Sequence, residues 1–513
     1  MAIKSDDKGF RGGIRLESHK SLSCDMAIET AKLPDHLLYP MKTPSGLRAN
    51  PIVKAGDHVK SGRLLARFPD EALPPIRATS SGVIFFREAA TPFPNTPNGP
   101  MIGVETDGRD ESEPPFPPIP TEDQTPDKVI ERLNDCGVLG MGGAGFSTAR
   151  KLGSLKGPLR FLIINAAECE PYLTCDERII LDRAEELIDD ALQTARIFGF
   201  PQILIAVESQ RQATLARLDD LIRACALPTL KLVRLPDRYP AGGERQMIYA
   251  ASGIEIPIGR HPVDLGILCL NVQTLLALGR AVNHGEILTR RTVTVSGDAI
   301  HSPRNIEVRI GAPVNVLIEA AGGCQPGRHH LVLGGPMMGF SVNNDAVPVM
   351  KTLSGLLLLS ESAIPQPPES PCIRCGRCAE VCPQILLPQL LNDHAKAHRL
   401  KSLNDLNLLN CIECACCDQV CPSHIPLTTH FQDAKKALRR YLDDEKMALI
   451  ARKRHEARQE RLRKEDAERQ QESSERKTAL GQRHQPKIQE ALARARLKKV
   501  QRQLPSGDTS DEP

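Results

Sequence analysis

The sequence contains no tryptophan, and aromatic residues make up only 3% of it. Single-stranded nucleic-acid platforms stack bases on aromatic side chains, so no nucleic-acid partner is expected. Nowhere does an apolar run approach the ~18–20 residues needed to cross a bilayer. The best runs, residues 203–207 and 356–359, are strand-sized. An integral membrane protein is therefore not expected, although docking on one remains open. The first ten residues are polar and charged, without the apolar core of a secretory signal. An oxidising compartment is thus not expected, and disulfides with it.

Sixteen cysteines in such a chain read first as metal ligands. The chain has 513 residues and is 41% hydrophobic, enough for roughly three or four domains with real cores. Its net charge of +3 hides an asymmetry. Residues 435–502 carry 22 Lys/Arg against 11 Asp/Glu, which leaves the rest of the chain mildly acidic.

Residues 1–110 read as a β-rich unit. In residues 51–68, Val and Leu alternate with polar residues around Gly56-Asp57 and Ser61-Gly62. The K-x-G-D-x-V-x-x-G pattern resembles the lipoyl/biotinyl-type barrel sandwich. No modifiable-lysine hairpin follows it, so it implies a scaffold rather than a carrier. Residues 111–125 are proline- and acid-rich and read as a linker. Residues 126–285 alternate helix and strand signals, predicting an α/β domain with a mainly parallel sheet. Helical spacing falls at 126–136, 176–199 and 213–225, and strands at 161–164, 201–207 and 230–235. Residues 290–345 return to β alternation and predict a small β-grasp-like domain. Residues 362–430 place the cysteine runs on helical segments. Residues 435–513 read as a charged helical or disordered tail, or as a docking helix for an acidic partner or lipid surface.

Cys372, Cys375, Cys378 and Cys382-Pro383 form C-x2-C-x2-C-x3-C-P, and Cys411, Cys414, Cys417 and Cys421-Pro422 repeat it. This is the spacing of bacterial two-cluster ferredoxins, in which the fourth cysteine of each run ligates the other cluster. Cluster one then takes Cys372, Cys375, Cys378 and Cys421. Cluster two takes Cys411, Cys414, Cys417 and Cys382. Zinc sites use separated pairs, often with histidine, and fit less well. Cys416 is left as a bystander. The segment between the runs, residues 384–410, reads as helical and implies the helical variant of the two-[4Fe–4S] fold. Cys24, Cys136, Cys225, Cys269 and Cys324 are assigned to packing, with Cys169 and Cys175 left open.

Residues Gly140, Met141, Gly142, Gly143, Ala144 and Gly145, followed by Phe146, satisfy G-x-G-x-x-G. A dinucleotide fingerprint should follow a strand, but here a helical segment precedes it, and a P-loop lacks its G-K-[ST]. The turn can still cradle phosphate through backbone N–H groups, or serve as a plain turn. Asn165, Glu168 and Glu170 directly follow the 161–164 strand, where open α/β sheets bind ligands. They can equally cap the helix that follows.

Together these segments resemble the NADH-oxidising flavoprotein subunit of respiratory complex I. Gly140, Gly142, Gly143, Ala144, Gly145, Phe146, Thr148 and Lys151 match one motif. Asn165, Glu168, Glu170 and Pro171 match a second. Tyr239, Gly242 and Glu244 fit a third, and Asn271 with Thr274 a fourth. Met141, Ala167 and Gly243 depart from the patterns, which have Arg, Asp and Glu there. The segments 140–152, 164–178, 239–249, 271–283 and 331–339 with the two cysteine runs are most similar to the C subunits of Rnf (Rsx) electron-transport complexes. That resemblance implies FMN held by the glycine turn and Asn165, with Lys151 neutralising its phosphate. Phe146 would lie by a ring of NADH, and Glu168 and Glu170 near the nucleotide. It further implies NADH oxidation, two [4Fe–4S] clusters, integral and ferredoxin-like partner subunits, and a peripheral location on the cytoplasmic face of the inner membrane. The rival expectation is an iron–sulfur relay and docking module without nucleotide chemistry of its own.

Overall fold

The computed structural model describes residues 9–44, 46–93, 96–364 and 367–502. Most of the charged N-terminal segment and the last residues of the tail lie outside that range. The chain divides into two units, residues 1–435 and 436–513.

In the first unit, a parallel sheet forms where the sequence alternates helix and strand. Its strands, in spatial order, are Leu230–Leu235, Ile203–Glu208, Phe161–Asn165 and Ile267–Asn271. The Ile203–Glu208 strand is buried along its whole length, as expected of a parallel strand covered on both faces. The helices that accompany the sheet are α1 (Pro126–Asp135), α2 (Thr148–Gly153), α3 (Cys175–Phe198), α4 (Gln212–Cys225), α5 (Glu244–Ser252) and α6 (Val272–Asn283). The apolar faces of α1, α3, α4 and α6 close one core over the sheet, and α5 helps to close the other side.

The N-terminal segment folds as two antiparallel sheets, one built on the Gly82–Phe93 and Thr96–Thr106 hairpin and the other on Leu64–Arg67. A six-stranded mixed sheet follows in the chain, ordered Glu29–Thr30, Arg304–Arg309, Arg290–Ser296, Gly355–Ser360, His329–Leu333 and Phe340–Val342. It reaches beyond residues 290–345 at both ends. The four consecutive leucines of Gly355–Ser360 are buried, because this strand lies inside the sheet. Leu37, Ile84 and Val104 of the sandwich share one core with Val293, Ile306 and Leu356 of this sheet.

Between the cysteine runs stand the helices Pro388–Lys396 and Leu400–Asp405 and a short turn of helix at Leu408–Asn410. The second unit is helical as far as Gln501. Its apolar residues there, such as Met447, Leu480 and Leu497, are exposed. Among the described residues, no helix is long and apolar enough to cross a membrane.

Candidate functional site

The glycine turn is pinched shut by a bridge between Leu139 and Ser147, and the Gly140 amide donates to the Phe146 carbonyl at 2.9 Å. Gly143 and Gly145 hold φ of 99° and 62°, a region costly for residues with a Cβ. The turn lies against the carboxyl edge of the parallel sheet. The Met141 amide donates to Thr274 Oγ1 at 2.9 Å, and a Cβ on Gly142 would stand 3.2 Å from that of Asn271. Among the described residues, the amides of Gly142, Gly143, Ala144 and Gly145 have no hydrogen-bond acceptor. Consecutive free N–H groups of this kind suit an anion.

Around the turn stand the side chains that the sequence singled out. Ser147 caps α2, which places Lys151 so that its ammonium reaches Glu244 Oε1 at 2.6 Å and the Cys269 carbonyl at 2.8 Å. Burial works against that charge, but Glu244 more than offsets it and leaves the lysine above its ordinary value. Asn165 Nδ2 donates to the Gly242 carbonyl at 2.9 Å. Asn271 caps α6, accepting from the amides of Gln273 (3.0 Å) and Thr274 (3.4 Å), and donates to Asp176 Oδ2 at 2.5 Å. A Cβ on Gly242 would meet the Ala167 carbonyl oxygen at 2.6 Å, so only glycine permits this approach. Phe146 is 51% exposed and offers a free ring face beside the turn. The free amides and one lysine fit the phosphate of a flavin mononucleotide.

The two glutamates are turned to protein donors. Glu168 accepts from the Cys175 thiol at 3.2 Å and from the amides of Asp176 and Glu177 at the start of α3, both at 3.3 Å. Its backbone carbonyl receives the Lys20 ammonium. Glu170 accepts from the amides of Met337 (3.0 Å) and Met338 (2.9 Å). Burial pushes each carboxyl up to about 7. Tyr239 is buried and packs against Cys414, Cys416 and Met337. Asp176, Gln273 and Lys20 carried no local sequence signal, because their partners are distant in the chain.

The cysteine runs form two cavities. One is lined by Cys372, Cys375, Cys378 and Cys421, the other by Cys382, Cys411, Cys414 and Cys417, with Cys416 also at its wall. Both runs repeat one backbone path. Arg374 and Glu413 take positive φ, as do Gly376 and Ala415, and Ile385 and His424. Such φ values are uncommon outside glycine. They aim amides at sulfur: Arg374 N to Cys372, Glu413 N to Cys411 and Leu386 N to Cys382, each at 3.4 Å. Among the described residues, no three metal-ligating side chains converge closely enough for a single ion. One zinc would draw its ligands to about 2.0–2.3 Å. Quartets spread around a cavity, with amides directed at their sulfurs, fit a cubane.

The second cavity adjoins the α/β domain. Gly13 N donates to the Val381 carbonyl at 2.8 Å, and Gln246 Nε2 to the Pro383 carbonyl at 3.2 Å. The Lys435 ammonium bonds the Cys411 carbonyl and Glu413, both at 2.6 Å. The first cavity faces outward, with Cys372 and Cys375 exposed and Ile373 68% exposed. Elsewhere Cys136 and Cys269 are buried as expected, whereas Cys225 and Cys324 lie exposed at the surface and pack no core.

Four family models match the chain. They are an RnfC barrel sandwich hybrid domain at residues 8–109 and a Nuo51 FMN-binding domain at 133–280. An SLBB domain matches at 292–341 and a 4Fe-4S dicluster domain at 371–425. The C subunit of the ion-translocating oxidoreductase complex of Rhodobacter capsulatus is 38% identical over 431 residues, covering 84% of this chain and 83% of that protein. The protein of the same name from Klebsiella pneumoniae (strain 342) is 36% identical over 490 residues, covering 95% of this chain and 65% of that one. Among solved structures, an NAD+-reducing [NiFe]-hydrogenase in the H2-reduced state matches with 20% identity and a TM-score of 0.44, over 63% of each chain.

Proposed function

The chain belongs to the family of C subunits of ion-translocating oxidoreductase complexes, and we propose on that premise that it is the point at which electrons from NADH enter such a complex. Bound flavin supplies the conversion of a hydride's electron pair into single electrons, and bound [4Fe–4S] clusters supply their relay. The residues supply binding and placement. The amides of residues 142–145 and Lys151 would hold the flavin phosphate. Asn165, Asn271, Thr274 and Gly242 would shape the walls of its slot, held by their own bonds to strands, helix and turn. Phe146 would present a ring face to the nicotinamide nucleotide. Glu244 would keep Lys151 charged and pointed at the slot.

Cys382, Cys411, Cys414 and Cys417 would hold the cluster nearer the flavin, and Cys372, Cys375, Cys378 and Cys421 the outer one. The observation that carries this reading is Tyr239. Its ring packs against Cys414 and Cys416, while the turn it begins delivers Gly242 to Asn165. The exposed cysteines of the first cavity would face a ferredoxin-like partner, with the chain held peripherally at the cytoplasmic face of the membrane by integral subunits.

Anaerobic addition of NADH to the purified, cofactor-loaded chain tests the proposal. Bleaching of the flavin band, followed by cluster reduction seen by electron paramagnetic resonance, is expected. Flavin-replete protein that does not respond to NADH would refute it. The engagement of Glu168 and Glu170 by protein donors favours a second reading, a relay module without nucleotide chemistry, which predicts iron-replete protein that binds no flavin.

A further inference from the structure

A cavity of about 320 Å³ lies between α3, α6 and the Arg290–Ser296 strand. That is the lower end of the size range of small-molecule sites, about 300–1,000 Å³. The glycine turn contributes only Met141 to its lining, so it is a separate space from the cradle of free amides. Four arginines contribute to its lining, Arg183, Arg280, Arg290 and Arg291, against two acidic residues, Glu286 and Glu307.

These arginines are incompletely paired. Arg280 is held by Glu186 at 2.8 Å. Glu307 is shared between Arg183 at 4.0 Å and Arg290 at 3.5 Å, both longer than a good hydrogen bond. Arg290 reaches Asp110 only at 3.5 Å. Arg291 is buried and bonds the carbonyls of Thr292 and Lys351, and its Nη2 has no partner among the described residues. Burial lowers that guanidinium to about 10, while the acidic groups of Asp176 and Glu168 act in the opposite sense.

The backbone also departs from regularity here. Helix α3 is interrupted at Arg183, with φ −137° and ψ 36°, although it contains neither glycine nor proline. Kinks without those residues arise where something interrupts the helical ladder. Beside the charged groups the lining is mixed, with Gln273, Thr289 and Thr292 polar and Ile179, Leu276, Ala277 and Ile287 apolar.

We propose that this cavity is a second ligand site, for a small organic anion with a phosphate or carboxylate head and an apolar body. Arg183 and Arg290 take the head, and Leu276, Ala277 and Ile287 take the body. Through Met141, whose amide is tied to Thr274, the occupied site would report to the glycine turn. This assignment stands independently of which nucleotide the turn binds.

Isothermal titration of the full cofactor-loaded chain with hexyl phosphate, hexanoate, inorganic phosphate and hexanol tests it. Hexyl phosphate or hexanoate should bind saturably, at least about tenfold tighter than either the bare head or the uncharged body. Whichever of the two binds better identifies the head. The double substitution Arg183→Gln and Arg290→Gln should weaken that binding at least about tenfold, and Ala277→Phe should block it, with flavin and iron content unchanged. If neither amphipathic anion binds, if the alkyl chain adds nothing over inorganic phosphate, or if binding survives both variants, the assignment falls. The four probes on the unsubstituted chain decide the question even where a variant fails to fold.

Discussion

Asn165 and Asn271 end two neighbouring parallel strands at the same level of register. Each spends its side-chain amide on the protein, Asn165 on the Gly242 carbonyl and Asn271 on Asp176. The pair therefore acts as a bracket between the sheet, the turn before α5 and a helix. Beside the pair, Lys151 bonds the carbonyl of Cys269, two residues before Asn271.

Lys151→Met should weaken flavin binding at least about tenfold, since a charge-assisted hydrogen bond to phosphate contributes roughly 1.5–3 kcal/mol. The lost pair with Glu244 is partly exposed (22% and 42%), so stability should change by less than about 1 kcal/mol. Flavin occupancy by absorbance and thermal melting of the flavin-free form separate the two effects. Equal losses in both would assign Lys151 to the scaffold instead.

The cavities make a separable prediction about iron. Cys375→Ser and Cys417→Ser should each lower iron content to about half, leaving the other cluster's spectrum in place. Cys416→Ser should retain full iron, because the second cavity already has four cysteines at the spacing of the first. Iron analysis with electron paramagnetic resonance checks this. Loss of iron from Cys416→Ser would exchange its role with that of Cys417.

Gly279 lies inside α6, where alanine is ordinarily favoured by about 1 kcal/mol. A Cβ there would stand 1.9 Å from Asp190 Oδ1. Gly279→Ala should therefore destabilise, by about 1–3 kcal/mol. Adding Asp190→Ala should recover most of that loss, and a double-mutant cycle in denaturant measures the coupling.

Burial, and then the neighbouring Glu186, pushes the Asp190 carboxyl from 3.8 up to about 8. A group whose folded value is raised contributes its full share of stability below its unfolded value. That share is lost as pH rises through the folded one. Stability should fall between about pH 4 and 8 on this account, and Asp190→Asn should flatten the slope. Melting temperatures across that range, compared between the two proteins, check the sign. An unchanged slope in Asp190→Asn would remove Asp190 as its source.

Much of the architecture was legible because its signals are local. The βα rhythm of residues 126–285 marks the parallel sheet, since strand and helix periods differ along the chain itself. The cysteine spacing announces two equivalent runs, and the structure adds that both follow one backbone path, down to positive φ at Arg374 and Glu413. The capping alternative was legible and holds for Glu168, whose carboxylate meets the amides at the start of α3. The destination of Glu170 was not, because its carboxylate meets the amides of Met337 and Met338, far along the chain.

The chain by itself determined which residues could ligate, cradle or turn, because spacing, glycine content and hydrophobic period are properties of neighbours in sequence. Tertiary structure alone decided what each such residue faces. It set Tyr239 against the second cysteine cavity, merged the sandwich and the six-stranded sheet into one core, and gathered four arginines from α3, α6 and a strand around one cavity. The reason is physical: a side chain in a loop or at a strand end is aimed by whatever packs against it, and those partners lie tens to hundreds of residues away.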